Sequence, residues 1–387
     1  MKIYDTIIVG AGPAGSIAGY TLAGAGQNVL IIEKAKFPRR KVCGGGLTHR
    51  AYQQIPFSID SILHQSVSWG MLGSRGRKIT TIRHEQPIAY LIDRASFDDY
   101  LLQKAVDQGA ECVQGERLRS FHEERGLFTL HTDQNTWYSR YLIGADGIHS
   151  LVAKGSGLQA NRESSLAYEA LLSYPSNIRD PLIQSITFDF GTLLCGYGWI
   201  FPKQDHLNVG VFRNWPGKRT SKKHLLRYIH QHPILRHLDI LDLRAFPGPL
   251  GGRIDQLHQH RLLLVGDAAN LADPWLGEGL YYALVSGRMA AETIMKHAAG
   301  HVKDLSAYSQ QVKEAFEPQF MAARRLAFLV SALPHVNVHL LRTSSTLQKM
   351  IIDLLRGERT HTQIWGDLKS LYPTLIKRRI KNNELKN

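Results

Sequence analysis

The sequence predicts an α/β chain: a Rossmann-like strand–turn–helix sheet at the N-terminal end and a helical region after about residue 300. Three observations predict the first sheet. Residues 5-DTIIVGAGPAGSIAGYTLAGAG-26 read as strand, glycine turn and helix, and 28-NVLIIEK-34 reads as a second strand ending in an acid. Two distant segments, 141-YLIGADGIHS-150 and 262-LLLVGDAANLADPWLGEGL-280, each read as a strand closing on an aspartate beside glycine.

The first element carries Gly10, Gly12 and Gly15 in G-x-G-x-x-G spacing. Gly10 permits the tight turn, Gly12 lets backbone approach a pyrophosphate, and Gly15 lets helix pack on strand, while the helix N-terminus offers unpaired N–H groups to phosphate. Glu33 ends the second strand 18 residues after Gly15, where a carboxylate accepts from ribose hydroxyls in Rossmann-like domains. In 91-LIDRASFDDYLLQKAVDQGAE-111, Phe97, Leu101, Leu102, Ala105 and Val106 stand at helical spacing, with Ser96 in the N-cap region and Gly109 as the stop.

In 195-CGYGWIFPK-203, Tyr197, Trp199 and Phe201 alternate onto one side of a strand that Pro202 ends. Two readings of that face stay open: sheet core, or the wall of a pocket for a long apolar molecule. After about residue 300, segments 304–334 and 338–358 read as helices with apolar stripes, broken at Pro318, Pro334 and Gly357. Within them 326-LAFLVSAL-333 is expected to be core against the first domain, with the rim of an entrance for an apolar ligand as the alternative.

With 387 residues, 43% of them hydrophobic, the chain is expected to form two or three domains. Cys43, Cys112 and Cys195 lie far apart with no CxxC pair, which argues against a disulfide framework or thiolate metal site and for a reducing compartment. The histidine pairs His230/His232 and His258/His260 have no accompanying acid or cysteine cluster and read as solvated surface, so no metal is expected. The net charge of +14 is spread along the chain without a nucleic-acid motif, so no nucleic-acid partner is expected. No run reaches the ~18 uncharged apolar residues of a membrane span. A soluble, cytoplasmic protein without an obligate protein partner is expected. The charge-dense 377-KRRIKNNELK-386 reads as a frayed tail or as a peripheral contact for anionic headgroups at a membrane surface.

The N-terminal fingerprint and the two Asp-Gly strands together resemble the three-part signature of FAD enzymes of the para-hydroxybenzoate hydroxylase type, over residues 1 to about 300. The resemblance implies an FAD-binding domain assembled from 1–66, 91–165 and 258–300, an inserted antiparallel-sheet (α+β) substrate domain at 67–90 and 166–257, and a helical C-terminal region at 301–387. It implies a flavin site of Gly10, Gly12, Pro13, Ala14, Gly15, Glu33, Lys34, Cys43, Gly44, Gly45, Arg94, Leu118, Asp146, Gly266, Asp267, Gly277, Gly279 and Leu280. Arg94 matches the arginine of the D-R-x-x-F-D pattern, with a surface ion pair to Asp93 or Asp98 as the alternative; Leu118 is placed by spacing. Each aspartate loop also reads as an ordinary capped turn. Where many such proteins carry an arginine after the DG turn, this chain has Lys154.

Two stretches narrow the resemblance. The C-G-G-G-L of 41-KVCGGGLTHRA-51 and the Y-x-W-x-F-P of 196-GYGWIFP-202, with 274-PWLGEGL-280, resemble the geranylgeranyl reductase family, FAD enzymes that saturate carbon–carbon double bonds of isoprenoid chains. The usual proline after Leu47-Thr48 is His49 here. The resemblance implies an isoprenoid lipid or prenyl diphosphate substrate against Tyr197, Trp199, Phe201 and Pro202, recognised by apolar area at roughly 25 cal/mol per Å². The implied catalytic residues are Cys43, as a proton-donating or positioning thiol, Tyr197 as reserve acid, and Trp199. The electron donor is expected to be NADPH or a reduced ferredoxin-like carrier. Two other classes stay open: an FAD monooxygenase or epoxidase acting on an aromatic or terpenoid substrate, and a non-catalytic prenyl-lipid binding module.

Overall fold

The computed structural model describes residues 1–158, 163–174, 181–214, 220–332 and 334–371; the charge-dense stretch 377–386 lies outside them. Strand Ile3–Val9 is apolar on both faces because both faces are covered: Ile7 and Ile8 have no exposed surface. It pairs in parallel with Val29–Glu33 on one side and Thr136–Gly144 on the other, bringing Ile8 level with Ile31 and Ile143. Glu111–Gln114 extends the sheet beyond the first neighbour, and Leu262–Leu264 then His258–Gln259 beyond the second; Leu118–Glu124 and Leu127–Thr132 attach antiparallel.

The chain leaves Ile3–Val9 toward one side of this sheet and returns to its other side. That reversal opens a crevice beyond the carboxyl ends of the strands, the usual ligand position in open α/β sheets. Gly10 stands at its lip with φ +104°, and a Cβ there would lie 2.4 Å from the Ala145 carbonyl oxygen. Helix Arg94–Asp107 packs beside helix Pro13–Gly24. Its cap is Asp93, two residues before Ala95, and not Ser96: one Asp93 oxygen accepts the N–H groups of Ala95 and Ser96 at 2.8 and 3.0 Å. The carboxylate already satisfies the first-turn donors that Ser96 would have served.

The second sheet runs Ile240–Pro249, Ser164–Leu172, Leu207–Arg213, Gly196–Pro202, Ile186–Phe190, Trp69–Ser74, Arg77–Arg83. It departs from a purely antiparallel sheet at one pair: Ile186–Phe190 runs parallel to Trp69–Ser74. More than a hundred residues separate these strands in sequence, so no hairpin turn dictates their direction. One face carries Ile200, Val209 and Val211, buried under Leu225 and Tyr228 of helix Lys222–Gln231. Tyr197, Trp199 and Phe201 occupy the other face. A small third sheet, Gly46–Thr48, Ala89–Ile92 and Leu63–Val67, anchors the glycine loop that precedes it.

Helix Ser306–Ala332 passes through Pro318 without the expected break. Phe316 and Phe320 flank the proline and pack on Tyr282, with ring centroids 4.9 and 4.8 Å away; this packing outweighs the ~3 kcal/mol cost of an interior proline. The next segment is two helices, Pro334–Thr343 and Ser345–Arg356, because Ser344 leaves the first and caps the second at Leu347 N–H. Leu326 and Ala327 bury against Trp275, Met350 and Leu354, whereas Phe328 is 57% exposed. His232, expected on the surface, is buried, its Nδ1 facing the N–H groups of Ile234 and Leu235 at the turn after its helix. No helix of the described residues is long and apolar enough to cross a membrane.

A Cβ on Gly15 would meet the Gly10 carbonyl oxygen at 1.9 Å, backbone against backbone. Gly15→Ala is therefore expected to cost about 1–3 kcal/mol, read as a fall of several degrees in Tm, with weakened flavin retention in the same sample.

Candidate active site

A single cavity of about 710 Å³ runs from the crevice of the first sheet to the aromatic face of the second. At the crevice end Gly12 begins helix Pro13–Gly24, and a Cβ on it would meet only the Arg39 guanidinium, at 3.9 Å. Space, amide donors and a cation converge there, the requirements of a pyrophosphate. Glu33 fixes the loop: its two oxygens accept the N–H groups of Ala11 and Ala35 at 2.8 and 2.9 Å, leaving a lone pair on each for ribose. Leu118 and Lys34 line the same end.

At the centre lies the loop Cys43-Gly44-Gly45-Gly46, between the two sheets. Each glycine answers a steric demand. A Cβ on Gly44 would lie 3.0 Å from both the Trp199 and Phe201 side chains, one on Gly45 (φ +66°) 2.3 Å from the Ile92 carbonyl oxygen, and one on Gly46 3.0 Å from Phe201. The Cys43 sulfur accepts the Gly45 N–H at 3.4 Å and lines the cavity. Behind the loop Lys203 donates to the carbonyls of Gly45 and Ile92, and burial lowers its pKa to about 8.

Arg94 is not a surface residue. It grips Asp98 through two 2.8 Å bonds, Arg39 stands 3.1 Å from the same carboxylate, and Asp98 is fully buried. Burial works against the Arg94 charge, but Asp98 and the Cys43 sulfur together push its pKa up. Asp267 lines the cavity with no hydrogen-bond partner for its carboxylate among the described residues. Burial pushes its pKa up against the pull of Lys41 and Arg94. Lys41 lies 3.1 Å above the Phe246 ring, its pKa lowered by burial to about 8. Asp146 also lines the cavity, but Ser150 Oγ and the N–H groups of Leu151 and Val152 take up its oxygens, so its carboxylate acts as a helix cap.

At the far end Tyr197, Trp199 and Phe201 form the wall with Phe188 and Phe212. The wall is at once core and lining, so the two readings of this strand describe one surface. Trp199 Nε1 donates to Asn208 at 2.8 Å, and Asn208 donates to Glu169 at 3.1 Å. The Tyr197 hydroxyl donates to the Leu276 carbonyl, and burial pushes its pKa well up.

A buried ionic network holds the loop that closes the cavity. Glu278 accepts from Arg50 and Thr48, Arg50 also approaches Asp273 at 3.7 Å, and His361 Nε2 stands 2.7 Å from the same aspartate. Asp273 accepts the N–H groups of Trp275 and Leu276 at 2.7 and 2.8 Å. Leu276, Gly277, Gly279 and Leu280 consequently face the cavity, and a Cβ on Gly277 would crowd the Tyr197 hydroxyl at 3.3 Å.

Three expected site residues do not line the cavity: Gly15, which is packed under Gly10; Gly266, whose N–H bonds Ser286 Oγ; and Pro202, one residue beyond the wall. Arg39, Lys41, Glu169 and Asn208 line it or brace it without having been singled out in the sequence. The basic run 36-KFPRRK-41, placed directly after the second strand, was the signal for the first two.

A family model described as FAD binding domain matches residues 3–181. Menaquinone reductase of Mycolicibacterium smegmatis is 30% identical over 349 residues, 84% of this chain and 84% of that protein. Digeranylgeranylglycerophospholipid reductase 1 of Methanopyrus kandleri is 30% identical over 349 residues, 85% of this chain and 91% of that protein. The chain belongs to the geranylgeranyl reductase family. A solved geranylgeranyl bacteriochlorophyll reductase-like protein of Thermoplasma acidophilum shares the fold, with TM-score 0.81 over 95% of this chain and 100% of that one at 24% identity.

The residues present fit the FAD of this flavoprotein family. The open space at Gly12, the lone pairs of Glu33 and the unpartnered Asp267 carboxylate are the polar groups that a dinucleotide would complete. In this family member the closing loop depends on Asp273. Burial alone would raise its pKa; His361 and Arg50 reverse that and hold it at about 2. A depressed carboxyl stabilises the fold fully above its unfolded pKa of about 4 and loses that contribution as pH falls toward the folded value. His361→Ala is expected to lower stability near neutral pH by on the order of 2 kcal/mol, and its deficit against the parent protein should narrow below about pH 4 in denaturant titrations.

Proposed function

We propose that this protein is an FAD-dependent reductase that saturates carbon–carbon double bonds of an isoprenoid chain, taking an isoprenoid lipid or prenyl diphosphate as substrate. The supporting observation is the continuity of the cavity: the dinucleotide crevice opens onto a wall of five aromatic rings, with the Cys43–Gly46 loop between them. A polyprenyl chain offers no polar handle along its length, and such a wall recognises it by area with little loss of rotamer entropy. The names of the menaquinone and digeranylgeranylglycerophospholipid reductases, proteins of similar length, point the same way.

Reduced FAD, when bound, supplies a hydride. The chain's own residues do the rest. Gly12, Arg39 and Glu33 hold the nucleotide, Asp267 and Lys41 address the flavin end, and the glycine loop lets an olefin lie flat against the wall while the aromatic rings exclude water. Cys43 is the positioning residue at the junction. NADPH or a reduced ferredoxin-like carrier is the expected electron source.

The reading is tested by anaerobic single turnover of the reduced protein with menaquinone or geranylgeranyl diphosphate, followed by mass spectrometry. Products heavier by pairs of hydrogens are expected. An oxygen-dependent hydroxylated product would assign the chain to the monooxygenases, and protein lacking redox-active flavin would make it a lipid carrier. Cys43→Ser should keep its flavin and its KM while kcat falls by roughly tenfold or more. Unchanged kcat would remove the thiol from the positioning of substrate.

A further inference from the structure

We propose that Glu169 is the proton donor for the reduction, set at the end of a hydrogen-bonded row that crosses the second sheet beneath the aromatic wall. The proposal rests on the reductive function put forward above. Saturating a double bond breaks one π bond and forms two C–H bonds, one from the hydride of the reduced flavin and one from a proton. An acid must release that proton and then be reprotonated from solvent.

The register of the sheet places Glu169 for this task. Trp199, Gly210 and Glu169 stand directly opposite one another on three adjacent strands, and so on the same face. Gly210 lets the indole lie across the strand between them: a Cβ at that position would sit 2.0 Å from Trp199 Cζ2. Asn208 completes the row, accepting from Trp199 Nε1, donating to Glu169 and reaching the Cys43 carbonyl oxygen at 3.5 Å. Glu169 is 4% exposed to bulk solvent yet lines the cavity beside Cys43 and Trp199.

The charges around it suit a proton carrier. Burial raises the Glu169 pKa; Asn208, the Arg40 guanidinium at 3.7 Å, the Cys43 backbone and Lys203 oppose it, and the balance is upward. Arg40, its side chain 35% exposed, also pairs with Asp242 at the surface, so the buried acid lies one ion pair from the solvent boundary. Neither rival is as well placed. The Tyr197 proton is engaged by the Leu276 carbonyl, and the Cys43 thiol, which accepts the Gly45 N–H at 3.4 Å, is not joined to the hydrogen-bonded row through its side chain.

The test compares the flavin-loaded parent protein with E169Q and E169D. E169Q should bind flavin with unchanged stoichiometry and be reduced normally. Its single-turnover oxidation by a substrate that the parent accepts should slow by about 100-fold or more, and E169D should recover part of that loss. Independently of turnover, difference infrared spectroscopy across a pH titration should show the carbonyl stretch of a protonated carboxylic acid that E169Q lacks. Parent-like single-turnover rates in E169Q, or a carboxylic-acid band whose intensity is undiminished by the substitution, would overturn the assignment of Glu169. If the parent itself oxidises with no polyprenyl substrate, the reductive reading fails instead, and the infrared band alone then reports on Glu169. If E169Q loses its flavin, E169D and the band decide.

Discussion

The contact on which the rest of the molecule depends is that between the Cys43–Gly46 loop and the strand Gly196–Pro202. Gly44 and Gly46 approach Trp199 and Phe201 so closely that a methyl group on either would crowd the rings at 3.0 Å, while Gly45 sits at positive φ under the Ile92 carbonyl oxygen. Through these three residues the backbone of the nucleotide-binding half is laid directly on the aromatic face of the other half. Side chains at these positions would force the loop away from the rings and from the Ile92 carbonyl. The close approach of loop and strand is a consequence of the missing Cβ atoms.

Charge is arranged around this junction in a consistent way. Asp98 is shared by Arg94 and Arg39, Asp273 by Arg50 and His361, and Glu169 faces Arg40. Each of these three carboxylates has a cation from a different part of the chain. Such pairs contribute little net stability, because desolvation offsets their attraction, but removing one partner leaves an uncompensated buried charge and costs several kcal/mol. Their value is positional. They fix the helix Arg94–Asp107 and the loop 273–279 against the segments that supply their cations, and among the described residues the Asp267 carboxylate has no hydrogen-bond partner.

Much of this was legible in the sequence where a residue type answers a local rule. The glycine turn, the acid ending the second strand and the aromatic alternation all depend on near neighbours, and each lies where its pattern indicated. What was not legible depends on pairing between distant strands. Glu169 reads in 166-LAYEALL-172 as one acid among apolar residues; only the register with Gly210 and Trp199 makes it part of a site. Pro318 misled because its break signal is local, whereas the packing of Phe316 and Phe320 on Tyr282 that overrides it is tertiary. Asp146 looked equivalent to Asp267, yet the helix after it engages both its oxygens, whereas the Asp267 carboxylate has no hydrogen-bond partner among the described residues.

A wall that binds by area has a limit that follows from the same physics. One methylene is worth about 0.8 kcal/mol of transfer free energy, a factor of roughly four, so an aromatic surface distinguishes poorly between one isoprenoid and the next. Selectivity must then come from where the apolar channel stops and from the polar head group outside it. Leu355 reaches the cavity from helix Ser345–Arg356, whose Arg356 is anchored to the Pro87 carbonyl, and Ile352 of the same helix joins the aromatic cluster. The C-terminal helical region therefore contributes to the lining of the cavity beside the aromatic sheet.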